Sequence, residues 1–232
     1  RQKEPAPPDR KSMPVAELFR IAPAAVIGVL LAGVINTGTL ALLPVYFERF
    51  DLAGGGTAAV AIAGAAAWLG GLVLQWPAGV LSDRIERRLV IAGMCTMSGI
   101  ASLLIAVFGV ALGEIGVIAV LTIWGAGALS FYGLCVAHAI DRTPRGRVPQ
   151  VMSGLLFVWA AGSIAGPLMS GFAMRVADRA GLFGLAGVLL LVLAVLMVIR
   201  VRQRAAPAEA QQEEWKPIAP TSLAGVELDP RN

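Results

Sequence analysis

Six uncharged, apolar stretches alternate with short polar ones along this chain, at about residues 21–46, 57–81, 89–113, 115–139, 150–174 and 181–199. A hydrocarbon core about 30 Å thick is crossed by ~20 apolar residues in helical conformation, so each stretch predicts a membrane-spanning helix. None alternates apolar and polar residues in the segments of ~10 that a transmembrane barrel needs. Pro44, Pro77 and Pro167 lie inside the stretches, and membrane helices tolerate proline better than soluble ones do. The pattern divides the chain into three. Residues 1–14 form a Pro-rich, charged linker. Residues 15–200 form a six-helix bundle, entered through an interfacial turn at 15–20. Residues 201–232 form a tail rich in Ala, Pro, Glu and Gln that is expected to be disordered.

Charge sets the orientation. Only 15% of the residues are charged and 57% are hydrophobic, whereas a soluble domain carries about 25% charged residues. Sixteen of the nineteen Lys and Arg fall on one side of the predicted membrane. They lie in the linker, in the turns after the second and fourth spans (Arg84, Arg87, Arg88; Arg142, Arg145, Arg147) and in the tail. The other side holds only Arg49, Arg175 and Arg179. The positive-inside rule makes both ends cytoplasmic. The net charge of +4 is therefore an orientation signal, and no nucleic-acid partner is expected. Sixteen Arg against three Lys, with abundant Ala and Gly, fits a GC-rich bacterial genome, so the expected location is the bacterial cytoplasmic (inner) membrane. Cys95 and Cys135 lie within spans and are expected to pack helices, forming neither a disulfide nor a metal site.

Helical spacing sorts the polar residues onto faces. Ala25, Gly28, Ala32, Asn36 and Thr39 share a face of the first span; Gly64, Trp68, Gly71, Gln75 and Gly79 share one of the second. Thr122, Gly125, Leu129 and Tyr132 align in the fourth span, and Trp159, Gly162, Gly166 and Ser170 in the fifth. The glycines read as close helix contacts. The amides of Asn36 and Gln75 each need a buried partner, which a neighbouring helix or a substrate could supply. The sixth span, Leu185 to Ile199, is all apolar and suits a peripheral, lipid-facing helix. No Asp, Glu, Lys or Arg lies deep in a span, so no proton carrier is evident. His138, the one histidine, stands at the cytoplasmic end of the fourth span and reads as an interfacial residue.

Between the second and third spans lies Gly79-x-Leu81-Ser82-Asp83-Arg84-x-x-Arg87-Arg88. This stretch resembles the loop signature G-x-L-[AS]-D-R-x-G-R-[RK] of the major facilitator superfamily, with Glu86 where the pattern has glycine. The signature occurs between helices 2 and 3 of that family, with a weaker copy between helices 8 and 9. The segment Asp141-Arg142-Thr143-Pro144-Arg145-Gly146-Arg147 looks like the family's basic 10–11 loop. Gly162-x-x-x-Gly166-Pro167-x-x-x-Gly171 is similar to a glycine-proline helix-packing motif known from helix 5 of its antiporters. The chain opens on Arg1 and carries no signal peptide, so it is expected to begin inside a longer protein.

The resemblance implies the C-terminal half of such a transporter, helices 7–12, with an inverted repeat of three plus three helices. It implies alternating access by a secondary transporter of small solutes. The partners would be a small-molecule substrate, the lipid bilayer and the N-terminal six-helix half; no cofactor and no metal is expected. Gly79, Asp83, Arg84, Arg87 and Arg88 would form a conformational gate. Asp83 would face a neighbouring helix N-terminus and could pair with Arg87, while Arg84 and Arg88 reach anionic headgroups. Asn36, Thr39, Gln75, Trp124 and Tyr132 would line the substrate cavity. A self-contained six-helix channel or scaffold acting as a homo-oligomer is the alternative. An intramembrane serine protease is disfavoured, because the chain has no Gly-x-Ser-Gly stretch and its histidine is close to the surface.

Overall fold

A computed structural model of the chain describes residues 13–51, 56–144 and 146–203. Most of the predicted linker (1–12) and of the tail (204–232) lies outside the described residues, as does Arg145. Within them the structure is helical, with no strand. Five helical stretches are long and apolar enough to cross a membrane: Pro23–Arg49, Thr57–Arg84, Arg87–Phe108, Gly113–Ile140 and Val148–Gln203.

Local chemistry divides some of these stretches. A short helix α1 (Val15–Ile21) stands where the interfacial turn was expected. The first stretch then runs as α2 (Pro23–Ala32), a π-helical segment Gly33–Thr37, and α3 (Gly38–Arg49). Helices α4 (Thr57–Arg84) and α5 (Arg87–Phe108) follow. The fourth stretch is α6 (Gly113–Ala128) and α7 (Phe131–Ile140), broken at Leu129–Ser130, where the Ser130 hydroxyl donates to the Gly71 carbonyl of α4 at 2.9 Å. The fifth, 56 residues long, holds α8 (Val148–Ala177) and α9 (Gly181–Gln203), separated by a 3-10 turn at Asp178–Ala180. Asp178 turns the chain there with φ 48°. Helix α9 continues to Gln203, past the end expected near residue 199, because Arg200 and Arg202 in its last turn complement the helix dipole.

Three helix pairs hold the bundle, and glycine brings the backbones together in each. The first stretch lies along α8, α4 along α6, and α5 along α9. A Cβ on Gly162 would meet the Leu30 carbonyl, one on Gly166 the Val34 carbonyl, and one on Gly33 the Trp159 carbonyl. The π-helical segment belongs to this crossing. Gly33 and Gly38 are five residues apart, a spacing that an α-helix of 3.6 residues per turn would spread over different faces. The wider π turn sets both against α8, where Gly162 and Gly166 are four apart. Gly70 and Gly125 do the same at α4–α6, meeting Thr122 and Ala67 carbonyls; at α5–α9 a Cβ on Gly99 or Gly187 would meet the Leu191 or Leu103 side chain at 2.9 Å, with the opposite glycine carbonyl just beyond. Gly171 does not share the seam: its nearest neighbour is Leu42 Cδ1 at 3.9 Å.

Helix α9 departs from the expectation of a wholly peripheral helix. Leu182, Phe183, Ala186, Leu190, Leu193 and Met197 are buried, while Val188, Val192 and Val195 on the other side are exposed. An all-apolar sequence carries no record of which face packs. Helix α4 is the most open, with Trp68, Leu72 and Trp76 60–70% exposed.

Candidate functional site

Two polar regions stand out among the described residues. The first lies halfway along the first stretch, in the π-helical segment. The Thr37 hydroxyl donates to the Ser163 hydroxyl of α8 at 3.1 Å. Asn36 Oδ1 and Thr39 Oγ1 are buried without a hydrogen-bond partner among the described residues. Leaving such a group buried costs ~1–3 kcal/mol. Gln75 is half-buried on α4, in a separate helix pair. Tyr132 is buried, its ring edge-on to Trp159 with centroids 6.4 Å apart.

Trp124 is a correction to the expected cavity lining. It is fully buried and stacks edge-on against Phe183 of α9 at 6.3 Å, so it fills the core between α6 and α9. The same helical spacing describes a core face and a cavity face, and the large indole went to the core. Thr37 and Ser163 were missed by sequence reasoning. The five-residue step between Gly33 and Gly38 was the available signal.

The second region is the charged end of the bundle. Arg87, 3% exposed, donates through Nη2 to Asp83 Oδ1 at 2.9 Å and lies with Nε 3.2 Å from Asp141 Oδ2. One guanidinium thereby ties the α4–α5 hairpin to the turn after α7. The expected Asp83–Arg87 pair is present; the bridge to Asp141 was not foreseen, since nothing in the sequence relates the two turns. Arg88 is also a correction. Instead of reaching outward to headgroups it is 2% exposed, donating through Nε to Glu86 Oε1 and through Nη1 to the Arg200 carbonyl, both at 2.7 Å. It closes the last turn of α9 against the start of α5. Arg84 is exposed, as expected. Glu86, the non-glycine in the signature, adopts φ −53° as the N-cap of α5, after Ile85 at φ −131°. Neither angle calls for glycine, so the turn accepts the glutamate and gives it Arg88 as partner. Gly79 is buried, its carbonyl accepting from the Ser82 hydroxyl at 2.7 Å. His138 is 3% exposed, enclosed by the neighbouring turns instead of standing at a surface.

The opposite end is lightly charged. Arg49 Nη2 lies 3.0 Å from Asp178 Oδ1, both side chains about half exposed or more. Arg49 and Arg179 flank the Phe50 ring, and the Tyr46 hydroxyl donates to the Arg179 carbonyl at 2.9 Å. Arg49→Gln is expected to lower stability by less than about 1 kcal/mol, read as a thermal midpoint within error of the unchanged protein in detergent. The exposed Arg49–Asp178 pair adds little to the helix packing at that end.

A family model described as Major Facilitator Superfamily matches residues 1–135 and 55–228. Among curated proteins, an uncharacterized MFS-type transporter of Yersinia pseudotuberculosis is 28% identical over 188 residues, covering 77% of this chain and 44% of that protein. One from Yersinia enterocolitica is 29% identical over 185 residues, with the same coverage. The MFS-type transporter YcaD of Salmonella paratyphi B is 24% identical over 174 residues, covering 72% of this chain and 42% of the relative. The chain spans about half the length of the curated relatives it matches.

Proposed function

Because this chain belongs to the Major Facilitator Superfamily and is a multi-pass membrane transport protein, we propose that it is the C-terminal bundle of a secondary transporter of small solutes working by alternating access. In this reading α8 and α9 cross separately, giving six crossings. Their pairing supports an inverted repeat. Exchanging crossings 1, 2, 3 with 4, 5, 6 converts the 1–5 pair into the 4–2 pair and returns the 3–6 pair to itself, and these are the three glycine-rich seams. Three is odd, so the two triplets run in opposite directions through the membrane. Arg84, Arg87, Arg88, Arg142, Arg147, Arg200 and Arg202 gather at one end of the bundle, which supports a cytoplasmic side there. The open faces of α4 and α8, with Trp68, Leu72 and Trp76 on one and Phe157, Ile164, Leu168 and Phe172 on the other, are available to lipid or to the N-terminal half.

The observation that carries the transport site is the buried, unpartnered Asn36 amide oxygen in the π-helical middle of the first crossing. A non-α turn at mid-membrane is tolerated where it is buried in protein or lines a cavity. Asn36 and Gln75 are the side chains assigned to substrate. In the full-length transporter, Asn36→Ala and Gln75→Ala are expected to alter KM or kcat with wild-type expression. Unchanged kinetics in both variants would remove the site from this face of the bundle.

A further inference from the structure

We propose that a cleft at the arginine-rich end of the bundle binds one phosphate-bearing anion, of the kind a phospholipid headgroup carries. Four elements converge there: the Ala22–Ala24 turn that starts α2, Arg88 at the start of α5, His138 and Arg142 at the end of α7, and Arg200 at the end of α9. The cleft is open to the surface and admits about 10 Å³, room for about one water-sized group. An anion would thus insert one oxygen and leave the remainder at the membrane surface.

Three of the four walls contribute a donor. No side chain caps α2, which begins with Pro23, and Ala24 and Ala25 behind it are buried. The first amides of a helix have no partner within the helix, and the dipole there favours an anion. His138 lines the same cleft, 3% exposed, and makes no hydrogen bond among the described residues. The Arg200 side chain makes no ion pair among the described residues; only its carbonyl is engaged, by Arg88.

Among the described residues the charged side chains nearest the cleft do not cancel. Arg87, Arg88, Arg142 and Arg200 face Asp83, Glu86 and Asp141, four positive against three negative. Glu86 and Asp141 are held by Arg88 and Arg87 at 2.7 and 3.2 Å. One positive charge is left over at the mouth, which a phosphodiester, carrying one negative charge, would balance.

The test is native mass spectrometry of the full chain in neutral detergent, titrated with phosphatidylglycerol, with inorganic phosphate as competitor. The unchanged protein should retain one lipid. Arg200→Gln should weaken retention about fivefold, the value of one arginine near a headgroup, and His138→Gln should weaken it as well. Arg202→Gln, exposed beyond the cleft, should leave it intact. Displacement by millimolar phosphate would show that the site accepts phosphate from any source; resistance to it would make the lipid the ligand. Retention unchanged in both Arg200→Gln and His138→Gln overturns the proposal. So does no retention by the unchanged protein, or equal loss in Arg202→Gln, which would mean diffuse surface attraction. If His138→Gln is poorly folded, Arg200→Gln decides alone.

Discussion

Gly125→Val should leave almost no folded bundle. The new Cβ would occupy the position of the Ala67 carbonyl on α4. A flexible side chain could move aside, but a helix backbone cannot move without shifting the whole helix. Overpacking commonly costs 1–3 kcal/mol and occasionally more; here the loss should be at least about 3 kcal/mol, because the seam has no rotamer to yield. Gly64→Val on α4 supplies the contrast, since nothing lies within 4 Å of a Cβ there. Its thermal midpoint and its monodisperse fraction on gel filtration should match the unchanged protein. Equal behaviour of the two variants would mean that α4 and α6 do not cross at Gly125.

Arg87→Gln should have the next largest effect. It removes the cation shared by Asp83 and Asp141, and the Asp141 side chain is 4% exposed. Deleting one partner of a buried pair typically costs 3–5 kcal/mol, because the other charge stays buried. The lower end, about 3 kcal/mol, is expected here, since Asp83 is 28% exposed and partly screened. Arg87→Lys keeps the charge but not the forked geometry that serves two carboxylates, and should fall between. Asp83→Asn should fold and change instead the balance of open states, read from labelled distances across the bundle in the full transporter. A stable, normally cycling Arg87→Gln protein would show that the bridge to Asp141 is ornamental.

The membrane-spanning stretches and the charge asymmetry were legible in the sequence because both are one-dimensional. A helix crossing lipid must be apolar along its length, and a loop retained inside is basic in composition. The pairing of Asp83 with Arg87 was legible for the same reason: four residues are one turn. What was not legible depends on neighbours. Asp83 and Asp141 stand 58 positions apart, and only folding brings them to one guanidinium. Trp124 and Tyr132 lie on adjacent helices of one crossing, yet Phe183 encloses the first while Trp159 flanks the second. Arg88 was expected to reach outward because the sequence could not show α9 ending over it. The break at Ser130 depends on a carbonyl supplied by α4.

The glycine seams have a mechanical consequence. At Gly33, Gly162 and Gly166 between the first stretch and α8, and at Gly70 and Gly125 between α4 and α6, main chain rests on main chain, with no side chain at those points to absorb displacement. Packed interfaces of this kind switch as units and do not bend continuously. A displacement of the first stretch would therefore carry α8 with it, and one of α4 would carry α6. The bundle is built as a lever, and its compliance has to reside in its turns.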